Sequence, residues 1–102
     1  MARKRTRTIE VSRYDSADYL KSEADMAAYL DACLEEAPED AAFLAAAIGT
    51  IARARGMVQL SRDTGISRDG LYKALSKDGN PSLATVLKVL RALGLKLVPQ
   101  AA

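Results

Sequence analysis

The sequence predicts an all-α fold: a compact bundle of about five helices containing a helix-turn-helix, with candidate short strands at its ends. Three observations carry this expectation. Apolar residues recur at three- and four-residue spacing, as in Met26, Tyr29, Leu30, Cys33 and Leu34 and again in Leu83, Val86, Leu87, Leu90 and Leu93. That is the period of one helix face. Gly56, Gly65 and Gly94 fall where such runs stop, and glycine closes a helix in the left-handed conformation at no steric cost. Alternating patterns, in contrast, are confined to two short terminal stretches around residues 6–11 and 95–98.

Residues 1–13 form a basic arm, expected to be partly flexible. Ile9 and Val11 would share one face of a short extended piece there. The charged tip either lies along DNA phosphates or serves as a solubilising tail. From residue 14 to 102 a single helical domain is expected, divided into an acidic section (14–37), a helix-turn-helix core (38–94) and a short strand with a tail (95–102). Asp15 can cap a turn that brings Tyr19 and Leu20 towards a core. Ser22, with Asp25 three residues on, resembles a capping box, so a helix should run to about Glu36. Met26 and Cys33 then belong to its buried side. Cys33 has no neighbouring His or Cys to make a metal site or an activated thiol.

Pro38 in a first helical turn, followed by Glu39 and Asp40 near the positive end of the helix dipole, opens the next helix. Phe43, Leu44, Ala47, Ile48 and Ile51 are its expected buried face, and its many alanines let neighbours approach closely. Gly56 ends it. Arg53 and Arg55 in its last turn either complement the dipole or contact DNA.

Residues 57–76 carry the chemistry. Met57–Thr64 reads as one short helix stopped by Gly65, and Ser67 is placed to cap a second helix over residues 68–76. Leu71, Ala74 and Leu75 fall on one side of that second helix and can face a core. Arg68, Asp69, Tyr72, Lys73 and Ser76 point elsewhere. A helix that reads DNA needs this division, because an apolar seam must hold it while polar donors reach base edges and phosphates. Gly70 within it costs about 1 kcal/mol relative to alanine and would let a groove wall or a neighbouring helix come near. A helical pair with Gly in its turn also occurs in all-helical proteins that never meet DNA, so the rest of the chain must decide.

Lys77-Asp78-Gly79-Asn80 is turn chemistry, and Asn80-Pro81 reads as a cap with proline at the first helical position. Leu83, Val86, Leu87, Leu90 and Leu93 then give an amphipathic helix ended by Gly94. Residues 95–98 alternate and stop at Pro99, so they are a candidate strand. A lone strand must pair with something: the Ile9 to Val11 piece, or its own copy in a second subunit.

Composition narrows the function. The chain has 102 residues, 49% hydrophobic and 27% charged, enough for one core and typical of a folded, water-soluble domain. No apolar run approaches the roughly 20 residues that span a bilayer, and no apolar segment follows the basic amino terminus, so neither a membrane anchor nor a secretory signal is expected. Cys33 is the only cysteine, which fits a reducing cytoplasm. Histidine is absent. The usual general base and the commonest metal ligand are therefore missing, and neither catalysis nor a metal or other cofactor is expected.

The net charge of +2 is segregated. Residues 1–13 hold five cations against Glu10, a balance of +4; residues 14–40 hold nine anions against Lys21, a balance of −8; residues 41–102 hold nine cations against three anions, a balance of +6. Such segregation suggests two partners of opposite charge, nucleic acid for the basic parts and a basic protein for the acidic one. The alternative is that solvated faces drew unlike charges by chance.

Arg53-Ala-Arg-Gly-Met57, Gly65-Ile-Ser-Arg-Asp-Gly-Leu-Tyr-Lys-Ala-Leu-Ser76, Gly79-Asn-Pro-Ser82 and Leu87-Lys-Val-Leu-Arg-Ala-Leu-Gly-Leu95 resemble the addiction-module antidote proteins. These are small HigA-like antitoxins with a lambda-repressor-like helix-turn-helix. The likeness covers most of the chain, including Tyr14-Asp-Ser-Ala-Asp-Tyr-Leu20. It implies an operon shared with a small basic RelE/ParE-like toxin, which the antitoxin binds and silences, and repression of that operon through operator DNA by a dimer. Carried over by position, Arg68, Asp69, Tyr72 and Lys73 would read the major groove, and Ser67 would cap the recognition helix and meet phosphate. Many repressors of this superfamily place Gln at the start of the first motif helix. Here that place is Met57, and Gln59 is two residues out of register. Gln59 and Arg62 are candidates for phosphate contacts, and Lys77 is a further DNA-contact candidate. Asp69 either accepts from cytosine N4 or holds Arg68 or Lys73 in place.

The leading expectation is thus a dimeric, operator-binding antitoxin without catalysis. A second is a protein-interaction module whose helix-turn-helix is vestigial and whose acidic 14–40 section does the work. A third is a stand-alone phage-type repressor.

Overall fold

The computed structural model describes residues 19–101. The basic arm, the extended piece at Ile9 and Val11 and the Asp15 cap lie outside them. Within them the chain forms five α-helices and no strand: α1 (Glu23–Glu36), α2 (Ala41–Arg55), α3 (Met57–Thr64), α4 (Arg68–Ala74) and α5 (Leu83–Ala92). No single one is long and apolar enough to cross a membrane.

Every start but that of α3, which begins at Gly56 with no side-chain cap bond, is set by an oxygen-bearing cap. Ser22 Oγ accepts from the Asp25 amide at 3.1 Å, as the capping box requires, but the return bond differs: Asp25 accepts from the Lys21 amide at 3.0 Å. Asp40 caps α2 by accepting from Phe43 N at 3.0 Å, so Pro38 and Glu39 sit in the preceding turn and not in the helix. Ser82 caps α5 by accepting from Thr85 N at 3.1 Å, which displaces the Asn80-Pro81 start by two residues. Both shifts have one cause. Several acceptable caps lie side by side, and the one that phases the apolar residues onto their neighbours prevails.

The core joins Leu20, Met26 and Leu30 to Ile48, Ile51, Ala52, Met57, Leu60, Leu71, Leu75, Val89, Leu90 and Leu93. Helix α2 lies at its centre, buried through Ala45, Ala47, Ile48, Gly49, Ile51 and Ala52. Phe43 and Leu44, expected on its buried face, are only part-buried at its first turn. Helix α1 packs on α2, and the chain turns by 106° at Gly56 into α3, which touches α2, α4 and α5. This eight-residue helix is the hub, with Leu60 fully enclosed.

Three expectations change. Tyr19 is 63% exposed while Leu20 enters the core. Leu83 and Leu87 are 68% and 47% exposed, because α5 turns Val89, Leu90 and Leu93 inward and no described element covers its other apolar edge. Residues 95–98 form no strand, since nothing among the described residues pairs with them.

Candidate nucleic-acid interface

The α3–turn–α4 unit is built as the sequence requires. Gly65 adopts φ +77°, the left-handed conformation, and its amide donates to Ser61 O at 2.9 Å, closing α3. Side chains then pin the turn. Ser61 Oγ donates to Ile66 O at 2.6 Å, Thr64 Oγ1 donates to Leu60 O at 2.8 Å, and Ile66 N donates to Thr64 Oγ1 at 3.2 Å. Each contributes on the order of 1 kcal/mol net, and together they fix the direction in which α4 leaves. Sequence reading missed Ser61 and Thr64; their signal was the placement of two hydroxyls in the last turn before a helix-ending glycine.

Ser67 opens α4, its Oγ accepting from Gly70 N at 3.0 Å. Leu71 is fully buried and Leu75 nearly so, whereas Arg68, Asp69, Lys73 and Lys77 are exposed and Tyr72 is 52% exposed. Among the described residues no ion pair ties Asp69 to Arg68 or Lys73. Gly70 is approached by no other helix: a Cβ there would meet only the Ile66 methyl and Ser67 Oγ, each at 3.2 Å.

On α3, Met57 is buried in the core. Gln59 is exposed and donates to Asp63 at 2.9 Å, which holds its amide along the helix. Arg62 is exposed.

The two arginines of α2 separate. Arg55 lies 3.9 Å from Glu23 of α1, whereas Arg53 lines a depression of about 100 Å³ with Tyr72, Leu75 and Ser76. Arg53 also donates to Thr50 Oγ1 at 3.5 Å. So Arg53 borders the outward face of α4 and Arg55 faces α1.

Cys33 is buried on α1. Burial pushes its thiol above the ordinary value of 9.0, a hydrogen bond with Tyr29 opposes the shift, and the Glu36 carboxylate adds to it. Among the described residues no group of three or more His, Cys, Asp or Glu side chains could hold a metal ion.

A family model described as "probable addiction module antidote protein" matches residues 10–101. The chain is also 47% identical over 93 residues to an uncharacterized protein of Haemophilus influenzae, a match covering 91% of this chain and 94% of that one. No solved structure matches.

Proposed function

The chain belongs to the probable addiction module antidote family, and from that premise we propose that it is a DNA-binding antitoxin, acting in the cytoplasm and without catalysis of its own. It would neutralise a small basic toxin of the RelE/ParE type and, as a homodimer, repress the operon that encodes both. The observation that supports DNA binding most directly is the division of α4. Leu71 and Leu75 anchor it to the core, while Arg68, Tyr72 and Lys73 stay exposed, Tyr72 beside Arg53. An α-helix anchored along one side and cationic on the other fits the major groove, where arginine can pair with guanine O6 and N7. In this reading α3–turn–α4 is a lambda-repressor-like helix-turn-helix. Arg68, Asp69, Tyr72 and Lys73 face base edges, and Ser67, Gln59, Arg62, Lys77 and Arg53 face phosphates.

Gel-shift titration with DNA from immediately upstream of the chain's own gene tests the proposal. Binding should exceed that to scrambled DNA of equal length by about 10³-fold or more. Equal affinity for both would remove operator recognition.

A further inference from the structure

The proposed antitoxin reading leaves the toxin-binding surface unassigned. We propose, resting on that reading, that the groove between α1 and residues 94–100 docks a cationic, amphipathic segment of the toxin. This groove, of about 870 Å³, runs along the outer side of α1. One wall is Ala24, Ala27 and Ala28, all exposed, and the facing wall is Leu97 and Val98 of the tail, 48% and 64% exposed. Leu30 and Leu34 line it and also a second depression of about 230 Å³, bounded by Leu44, Val86 and Leu90, which Leu97 borders as well. The surface is therefore apolar and continuous, with small residues on one side that let a partner's backbone come near. Uncovered apolar surface of this kind, rimmed by charge, marks a protein interaction site.

Charge selects the occupant. Helix α1 carries Glu23, Asp25, Asp31, Glu35 and Glu36, all exposed, and no cation. Glu23 and Asp31 border the groove on the α1 side and Lys96 on the tail side, with Glu23 also 3.9 Å from Arg55, so the anionic rim lies along α1. Such a rim repels nucleic acid and anionic lipid. A partner that brings apolar side chains between lysines and arginines meets both demands: its side chains fill the groove and its cations meet the rim.

The test uses the full chain and the purified product of the neighbouring gene. Val98→Asp and Ala27→Arg both alter exposed positions, so the fold should tolerate them. Each should raise the Kd for that product by about thirtyfold or more, the scale of losing a central interface contact, and abolish growth rescue on coexpression. Thermal midpoint and operator affinity should stay at parent values. Asp31→Asn with Glu35→Gln should slow association and flatten its salt dependence, as charge steering requires. Parent-level toxin affinity in both groove variants overturns the proposal while leaving the antitoxin reading in place. So does unchanged toxin affinity with a lower oligomeric mass, which assigns the groove to a second copy, or with lower stability alone, which assigns it to the chain's own amino-terminal residues. If the unaltered chain neither binds nor neutralises the neighbouring product, the antitoxin reading falls and the groove's role with it.

Discussion

Gly49 of α2 lies directly against Leu75 at the end of α4: a Cβ at position 49 would overlap the Leu75 carbonyl oxygen and stand 3.3 Å from the Leu75 Cβ. Nothing on either helix can yield there, because the obstacle is backbone. The exposed face of α4 is therefore set by how closely its far end sits on α2. Gly49→Ala gains about 1 kcal/mol of helix propensity but must push α4 away. Overpacking of this kind costs about 1–3 kcal/mol or more, so a net loss of stability is expected in urea titration followed by circular dichroism. Operator affinity should fall further than the population of folded protein does. A variant as stable as the parent with unchanged DNA binding would show that α4 is not held by this contact.

Ser67 has two separable roles, and two substitutions distinguish them. Because α4 has only seven residues, its first turn depends on the cap bond from Gly70 N to Ser67 Oγ. Ser67→Ala should cost about 1 kcal/mol. Ser67→Asp should retain stability, since aspartate caps as well as serine, yet it sets an anion where the proposed function places phosphate. Folding should survive in the aspartate variant and operator binding should not. Fluorescence anisotropy with labelled operator reads the second effect, and parent-level affinity in the aspartate variant would take Ser67 off the DNA face.

Cys33 gives a pH dependence with a definite sign. Its thiol is held above 9.0 in the folded chain, mainly by burial. A group whose folded value is raised keeps more protons folded than unfolded, so its contribution is complete below the unfolded value and is lost as pH rises towards the folded one. Unfolding free energy should therefore fall above about pH 9 more steeply in the parent than in Cys33→Ala. A thiol-exchange reagent at pH 8 should modify the parent only at the rate of opening. Parallel alkaline declines in the two proteins would show that this thiol does not titrate differently on folding.

What the sequence made legible follows from how each feature is encoded. Helix α3 has the bounds expected of it because glycines flank it, and both adopt positive φ, +113° at Gly56 and +77° at Gly65. The inward set of α4 was equally plain, since Leu71 and Leu75 are one turn apart and both are buried. Where two or three residues in a row can cap, as at 38–40 and 80–82, local chemistry does not rank them. The inward side of α5 escaped for a different reason: its apolar stripe is wider than its partners cover, leaving Leu83 and Leu87 outside. Residues 95–98 alternate as a strand does, but pairing is a property of two segments and only one is described. The groove beside α1 had no sequence signal, because its walls, Ala24 to Ala28 and Leu97 to Val98, are about 70 residues apart in the chain.

Arg53 and Arg55 show what only the packed chain can decide. Two residues apart on a helix, they point roughly 200° from one another, so no more than one can border α4. Since Gly49 brings α4 onto α2, Arg53, one turn further on, lies beside Tyr72 and Ser76. Arg55 instead lies 3.9 Å from Glu23, in a pair whose side chains are 34% and 64% exposed, and exposed pairs contribute little. Arg55→Ala should change stability by less than about 0.5 kcal/mol and leave operator binding intact. Arg53→Ala should weaken binding to operator and scrambled DNA alike and lower the slope of log affinity against log salt by about 1, the signature of one lost phosphate contact. Measured side by side across a salt series, equal effects from the two arginines would mean that Arg53 meets no phosphate and that the duplex does not reach the end of α2.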